Sequence, residues 1–267
     1  MKLPLLVLPL LFVAVSAGHA LNHGDMQQLK DTKSCIGCDL NQSNMQAGDM
    51  AGVNLTDANL RDTILKTINF DNAILNDADL RRADMEKSSL TKASLKGAIL
   101  RETDLEKATM PGANFTGADL RSADLENALV DGGSFFKADL RKANLKRAEM
   151  NKVNFTDCDA SDANFKRAVL NHTIFRSAKL KNVRFTRASL MEADFTNANL
   201  ALSNFYRADL TDAIFTNADL EDAIFWGANL SGADLSSADG LTESQLTKAC
   251  GNKQTRLPGG LTVEACS

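Results

Sequence analysis

The stretch A-D-L-T-D-A-I-F-T-N-A-D-L, Ala208 to Leu220, decides how the whole chain folds. Leu210, Phe215 and Leu220 stand five residues apart, each preceded two places earlier by Ala208, Ala213 or Ala218. An α-helix has no use for this spacing. Five residues at about 100° each leave every repeat about 140° out of line, so no apolar stripe forms. A continuous strand has none either, because an odd step sends each successive large residue to the opposite face. The chain must turn once per five residues. Each short straight piece then points its central Leu or Phe inward, with the small residue two places earlier also inside. Turns repeated in one sense wind such a chain into a solenoid, each coil covering the one before.

The frame extends far beyond this stretch. Positions 40 to 235 in steps of five hold 22 Leu, 11 Phe, 5 Met, Val130 and Ala160. Positions 38 to 238 in the same steps are Ala in 27 of 41 cases. No insertion or deletion breaks the frame, so no loop is extruded. Loops are where solenoids usually carry specific binding or catalytic groups, and their lack argues against an enzyme.

The repeats "NLTDANLRDT" (54–63), "NFTGADLRSADLENA" (114–128) and "NLSGADLSSADG" (229–240) resemble the A-[D/N]-L-x-x pattern of the pentapeptide repeat family. The resemblance covers about three-quarters of the chain. It implies an all-β solenoid, a right-handed quadrilateral β-helix with four pentapeptides per coil. The length then gives about ten coils, a rod of roughly 48 Å at sheet spacing. Phe recurs every ten residues from Phe155 to Phe225. On a four-sided coil this predicts two facing ladders, one through Phe115, Phe135, Phe155, Phe175, Phe195 and Phe215, the other through Phe165, Phe185, Phe205 and Phe225.

Residues 1–20 read as a signal peptide: Lys2, an apolar run from Leu3 to Val15, then small residues before a cleavage after Ala17 or Ala20. The run is short for a membrane anchor, and no later one reaches membrane length. The chain is expected to be exported, periplasmic or secreted, with no membrane span once processed. Residues 21–37 read as an N-terminal helical cap with Asp25 as its N-cap, 38–240 as the β-helix, and 241–267 as a C-terminal helical cap and tail. Thr242 and Gln245 fit a capping box, and Gly251 a helix C-terminus.

Cys35 and Cys38 lie at one end of this rod, Cys250 and Cys266 at the other, too far apart for one four-Cys metal site. In an oxidising compartment, two local disulfides, Cys35–Cys38 and Cys250–Cys266, are the economical reading. A redox-active C-x-x-C is the alternative for the first pair. Cys158 reads as a buried free thiol that fills space.

Residues 20 apart share a side of the rod. Arg61, Arg81, Arg101, Arg121 and Arg141, continued by Lys181, form one basic column, with Asp79, Asp119, Asp139 and Asp159 beside it. It reads as an ion-pair ladder for solubility and register, or as a polyanion surface for a glycan or nucleic acid. A second column is Lys87, Lys107, Arg147, Arg167, Arg187 and Arg207, with Glu86, Glu106 and Glu126 beside its first half. Thr116, Thr156, Thr196 and Thr216 form a row interrupted by Phe136 and Arg176. Tyr206 and Trp226 occupy equivalent outward positions beside Leu202 and Ile224. Either the C-terminal tail packs over them, or they meet a partner, a second copy included.

Only three His are available for metal or acid–base chemistry, and a net charge of −4 is too mild to suggest either a polyanion binder or a strongly acidic protein. The chain has no H-E-x-x-H, P-loop or G-x-S-x-G. No cofactor or metal is expected, and the expected function is that of a non-catalytic exported scaffold or binding protein with an unknown protein or surface partner. The family resemblance offers an alternative, since some members mimic DNA and bind gyrase. The Arg columns and the signal peptide oppose that reading, and a nucleic-acid partner is not expected.

Overall fold

The computed structural model describes residues 23–266, so the expected signal segment lies outside the described residues. From Ser34↔Asn54 to Asp219↔Asp239, each straight piece pairs in parallel with the one 20 residues ahead. One coil is therefore four pentapeptides. The four sides are sheets whose central residues run, respectively, through Leu60 and Leu80, Leu65 and Met85, Phe70 and Leu90, and Leu75 and Leu95.

One pentapeptide shows how the backbone closes on itself. The N–H groups of Leu55 and Asp57 donate to Ile74 O and Asn76 O on the next coil, at 2.7 and 2.9 Å. Ala58 N–H donates to Leu55 O at 3.1 Å, closing a β-turn, and Asn59 N–H donates back to Cys38 O at 2.8 Å. Thr56 N–H faces neither coil, and Asn54 Oδ1 accepts it at 3.1 Å. That last bond explains the Asp or Asn before the central residue: it is an Asx-turn that satisfies the one amide the coils leave over. The same bond recurs at Arg81, Thr156 and Thr211.

The turn has a cost at its third residue. Every fifth residue from Gln42 to Gly232 has positive φ, between 53° and 71°. Among them Leu202, at φ 62°, is the only large apolar side chain.

The interior is built mainly of fully buried apolar side chains in ordered columns. Phe115, Phe135, Phe155, Phe175, Phe195 and Phe215 stack at 4.8–5.1 Å between centroids, and Phe165, Phe185, Phe205 and Phe225 at 5.1–5.2 Å. The two ladders meet edge to face across the rod, as at Phe165–Phe175 (6.1 Å, 89°). Stacking along each ladder and T-contacts between them are both favoured ring geometries. Cys158 is fully buried beside Ala160, and burial pushes its thiol pKa well up, so it stays protonated.

Each end differs in detail from its sequence expectation. Helix α1, His23–Thr32, places Leu29 in the core. Asp25 lies inside its first turn instead of capping it, and its carboxylate accepts Asp39 N–H at 2.9 Å. Helix α2, Glu243–Leu246, buries Leu246, and Gln245 Oε1 accepts Thr242 N–H at 2.7 Å. Gln245 Nε2 donates to Leu220 O and Ala223 O, at 2.8 and 2.9 Å.

Gly251 does not end that helix. It lies in strand β1, Cys250–Gly251, which pairs in parallel with β2, Glu264–Ala265. There a Cβ would come within 2.7 Å of Thr255 and Val263, so close packing explains the glycine. Asn229↔Cys250 and Asp234↔Arg256 continue the coil's own pairing into the tail, covering a sheet edge that would otherwise stay open. Disulfides join Cys35 to Cys38 and Cys250 to Cys266.

Phe175→Ala removes a ring stacked on two neighbours and edge-on to two more. It is expected to cost about 3–5 kcal/mol, read as a lowered urea midpoint. Asn154→Ala, which orphans only Thr156 N–H, is expected to cost about 1 kcal/mol. Equal effects would contradict this assignment of the core.

Candidate binding surfaces

The first basic column is occupied by its own carboxylates. Arg121 donates through Nε and Nη2 to Asp119 at 2.9 Å on its own coil, and Arg101 reaches the same carboxylate from the coil before at 2.6 Å. Arg81 and Arg141 make the same two-pronged contact with Asp79 and Asp139. Arg61 lies 3.7 Å from Asp79. Burial raises the Asp119 pKa, but the bonds from Arg121 and Arg101 outweigh it and hold the group at about 2. Arg101, Arg121 and Arg141 line a shallow groove of about 410 Å3 that also holds Glu102 and Asp162. A polyanion placed here would have to displace carboxylates already bound.

The second column divides into two halves. In the first, Lys66 bridges Asp84 and Glu86 at 3.1 and 3.0 Å, Lys87 and Lys107 pair with Glu86 and Glu106, and Lys146 and Arg147 share Glu126. Bonds from Lys87 and Lys66 bring the Glu86 pKa down to about 2. In the second half, Lys166, Arg167, Arg184, Arg187 and Arg207 are all exposed, and none makes an ion pair among the described residues. The outward residues there, from Asn164 to Gly227, are Asn164, Lys166, Arg167, Arg184, Thr186, Arg187, Asn204, Tyr206, Arg207, Ile224, Trp226 and Gly227, with no acid among them.

The aromatic pair stands at the C-terminal end of this same side. Tyr206 and Trp226 stack at 5.1 Å with 3° between planes. The Arg207 guanidinium lies 5.2 Å from the Tyr206 ring centre and 5.9 Å from that of Trp226. Rings stacked along the rod axis turn their edges outward, forming a blade. Leu202, Ile224 and Trp226 each remain 45% exposed, so the C-terminal tail does not cover them. Ile214, the other apolar residue at an Asx position near this end, is 39% exposed on the opposite side, so no cap covers it either.

Lys181 leaves the Arg column's pairs. It lines a groove of about 410 Å3 with Asn182, Leu202, Ile224, Asp162 and Asp222. Residues read in the sequence as two separate surfaces thus meet at one corner. The unpaired state of the second column's C-terminal half was visible only as the end of its Glu neighbours after Glu126.

Among the described residues, no group of three or more His, Cys, Asp or Glu could hold a metal ion, and no helix is long and apolar enough to cross a membrane.

A family model described as "Pentapeptide repeat region" matches residues 148–225. Another, "Pentapeptide repeats (8 copies)", matches 34–71, 64–101, 88–127, 98–135 and 213–250. Among solved structures the chain is similar to HetL, a pentapeptide repeat protein involved in heterocyst differentiation regulation from the cyanobacterium Nostoc sp. The identity is 30% and the TM-score 0.78, over 83% of this chain and 99% of that one. It is also similar to QnrB1, a plasmid-mediated fluoroquinolone resistance protein, at 18% identity and a TM-score of 0.55, over 67% of this chain and 90% of that one. The second likeness is one of fold alone. No curated protein matches the chain.

The Asp119 carboxylate titrates below its unfolded value, so its contribution to stability is present above about pH 4 and is lost as pH falls through about 2. An NMR titration of its carboxyl carbon is expected to show a midpoint near 2 in the intact protein, moving up in Arg121→Gln. A midpoint unmoved by that substitution would contradict the ladder.

Proposed function

We propose, from the premise that the chain belongs to the pentapeptide repeat family, that it is a non-catalytic exported scaffold binding a protein partner. On this reading residues 1–20 direct export and are removed. What remains is a rigid right-handed rod of about ten coils with a helical cap at each end. The two disulfides support an oxidising compartment. Uninterrupted five-residue turns leave no loop to build a pocket around reacting groups, which supports a binding role.

One observation carries the reading. Tyr206, Trp226 and Ile224 lie on the outward face of one side, Leu202 lines a groove with Ile224 at the edge of that face, and Leu202 and Ile224 occupy positions that the repeat normally gives to polar residues. Leu202 is the one large apolar side chain at a left-handed corner between Gln42 and Gly232. Ile224 replaces the Asp or Asn acceptor, so no Asx bond reaches Trp226 N–H. Both put an exposed aliphatic side chain beside the aromatic pair, which favours an apolar contact. Trp, Tyr and Arg together are also the residue types that dominate interface energies. A DNA-mimic role is less supported, because a gyrase ligand of that kind needs a continuous acidic surface, and this side is cationic.

Immobilised protein spanning 21–267 is expected to retain a protein from an extract of its exported compartment. Trp226→Ala and Ile224→Ser are expected to abolish retention while the protein stays folded, Ile224→Ser shifting unfolding free energy by about 0.5 kcal/mol or less and Trp226→Ala by about 0.5–1.5 kcal/mol through loss of the Tyr206 stack. Arg121→Gln should retain the partner as before. Retention that survives both apolar substitutions would refute the proposed surface. Supercoiling by gyrase is expected to be unaffected by the protein.

A further inference from the structure

We infer that the partner meets this side through an acidic amphipathic helix lying along the rod, its carboxylates over the Arg rows and its apolar end on Trp226. This rests on the protein-binding reading above and names the chemistry of that partner.

Three features of the surface lead there. The first is uncompensated charge. Lys166, Arg167, Arg184, Arg187 and Arg207 have no carboxylate partner among the described residues, although every cation in the earlier half of the same column has one. Exposed like charges in adjacent rows repel, and the first half of the rod relieves this with Glu86, Glu106 and Glu126. The second half has no such residues, so the missing negative charge can come from a ligand.

The second feature is the order of chemistry along the axis. The row at Lys166 and Arg167 carries two cations beside Asn164. The next, at Arg184 and Arg187, is cationic with Thr186. Then Arg207 stands beside Tyr206, and the last row is Ile224 and Trp226. A polymer of repeating anions, such as a sulfated glycan or a nucleic acid backbone, has no aliphatic surface to offer Ile224 and Leu202. A peptide segment acidic at one end and apolar at the other matches both.

The third is spacing. Rows lie about 4.8 Å apart along the rod, and a helix presents one face every ~5.4 Å. Across the three steps from the Lys166 row to the Trp226 row the mismatch totals about 2 Å, within the reach of a long Arg side chain. Carboxylate–Arg contacts formed this way can be two-pronged, as they already are at Arg121 and Asp119. Asp162 and Asp222 at the Leu202 corner border the surface and disfavour an acidic segment displaced toward that corner. They help fix where the helix lies.

Trp226 is the only tryptophan in the chain, so its fluorescence reports on this surface directly. The probe is a synthetic amphipathic helix of about 14 residues, long enough to cross all four rows. It carries Glu along one stripe that ends in Leu and Phe. It is titrated beside its Glu→Gln version, a heparin oligosaccharide and a single-stranded DNA oligomer of equal charge.

The acidic peptide is expected to bind at least about ten-fold more tightly than either polyanion or the Gln peptide. Ile224→Ser and Leu202→Ser should weaken the peptide about ten-fold and leave any polyanion binding unchanged, whereas Arg187→Glu should weaken both. Circular dichroism and urea midpoints show that each variant is folded. Polyanions that bind as tightly as the peptide, or peptide binding indifferent to Ile224→Ser, would overturn the inference. So would sedimentation showing a dimer that Trp226→Ala dissociates, because a second copy would then occupy the surface. If the peptide fails while Trp226-dependent retention of a protein persists, the inference falls and the protein-binding reading stands. Loss of both defeats the two together.

Discussion

Everything in this rod depends on one backbone event, a turn every five residues with its third position in the left-handed region. Most residues that occupy it are not glycine, and a side chain there is strained. The strain persists because each turn is held on both sides. The corner amide donates to the next coil, the residue after it closes the turn, and the one after that donates to the previous coil. The remaining amide is satisfied by the Asx side chain. Loss of the bonds between coils would leave buried backbone groups unpaired. The coils therefore stand or fall with their neighbours, as expected of a quasi-one-dimensional fold.

The same closure fixes what the outside can be. A 20-residue coil stacks equivalent positions into columns about 4.8 Å apart, so a charge at one position repeats as a charged row. Most rows are neutralised internally: Arg against Asp along the first side, Lys against Glu along the first half of the second. These pairs are exposed and individually contribute little. Their collective effect is to cancel a repulsion that the architecture itself creates. The C-terminal half of the second side departs from this pattern. It keeps its cations, omits the acids, and ends in an aromatic blade with two exposed aliphatic residues near it.

Much of this was legible in the residues. The interior was, because the period of five admits few geometries and the tenfold Phe rhythm agrees with the four-sided coil that the family resemblance implies. The Asp–Arg column was too, since positions 20 apart must adjoin. The reason for Asp or Asn at the outward position was not. Read along the chain, it resembles surface polarity, and its bond to the amide two residues on exists only once the turn is formed. Asp25 and Gly251 were misplaced for a similar reason. Their roles depend on what packs against them, the Asp39 amide in one case and Thr255 with Val263 in the other.

The sequence by itself determined the period and the inward residues, because these follow from counting once the chain must turn every fifth residue; the columns follow from the four pentapeptides per coil that the family resemblance implies. Which cations are neutralised depends on whether a carboxylate on the next coil comes within reach, and that is a matter of three-dimensional distance. The meeting of Lys181 with Leu202 and Ile224 depends on the corner between two sides, which no single column reveals. Whether the tail covers Trp226 depends on where residues beyond the last repeat travel. Helix α2 sits over Leu220 and Ala223, Lys248 O accepts Gly227 N–H, and the residues after it pair at Asn229 and Asp234, so the tail covers the end of the coil and not its outer face at Trp226. The aromatic blade is left in the open as a result.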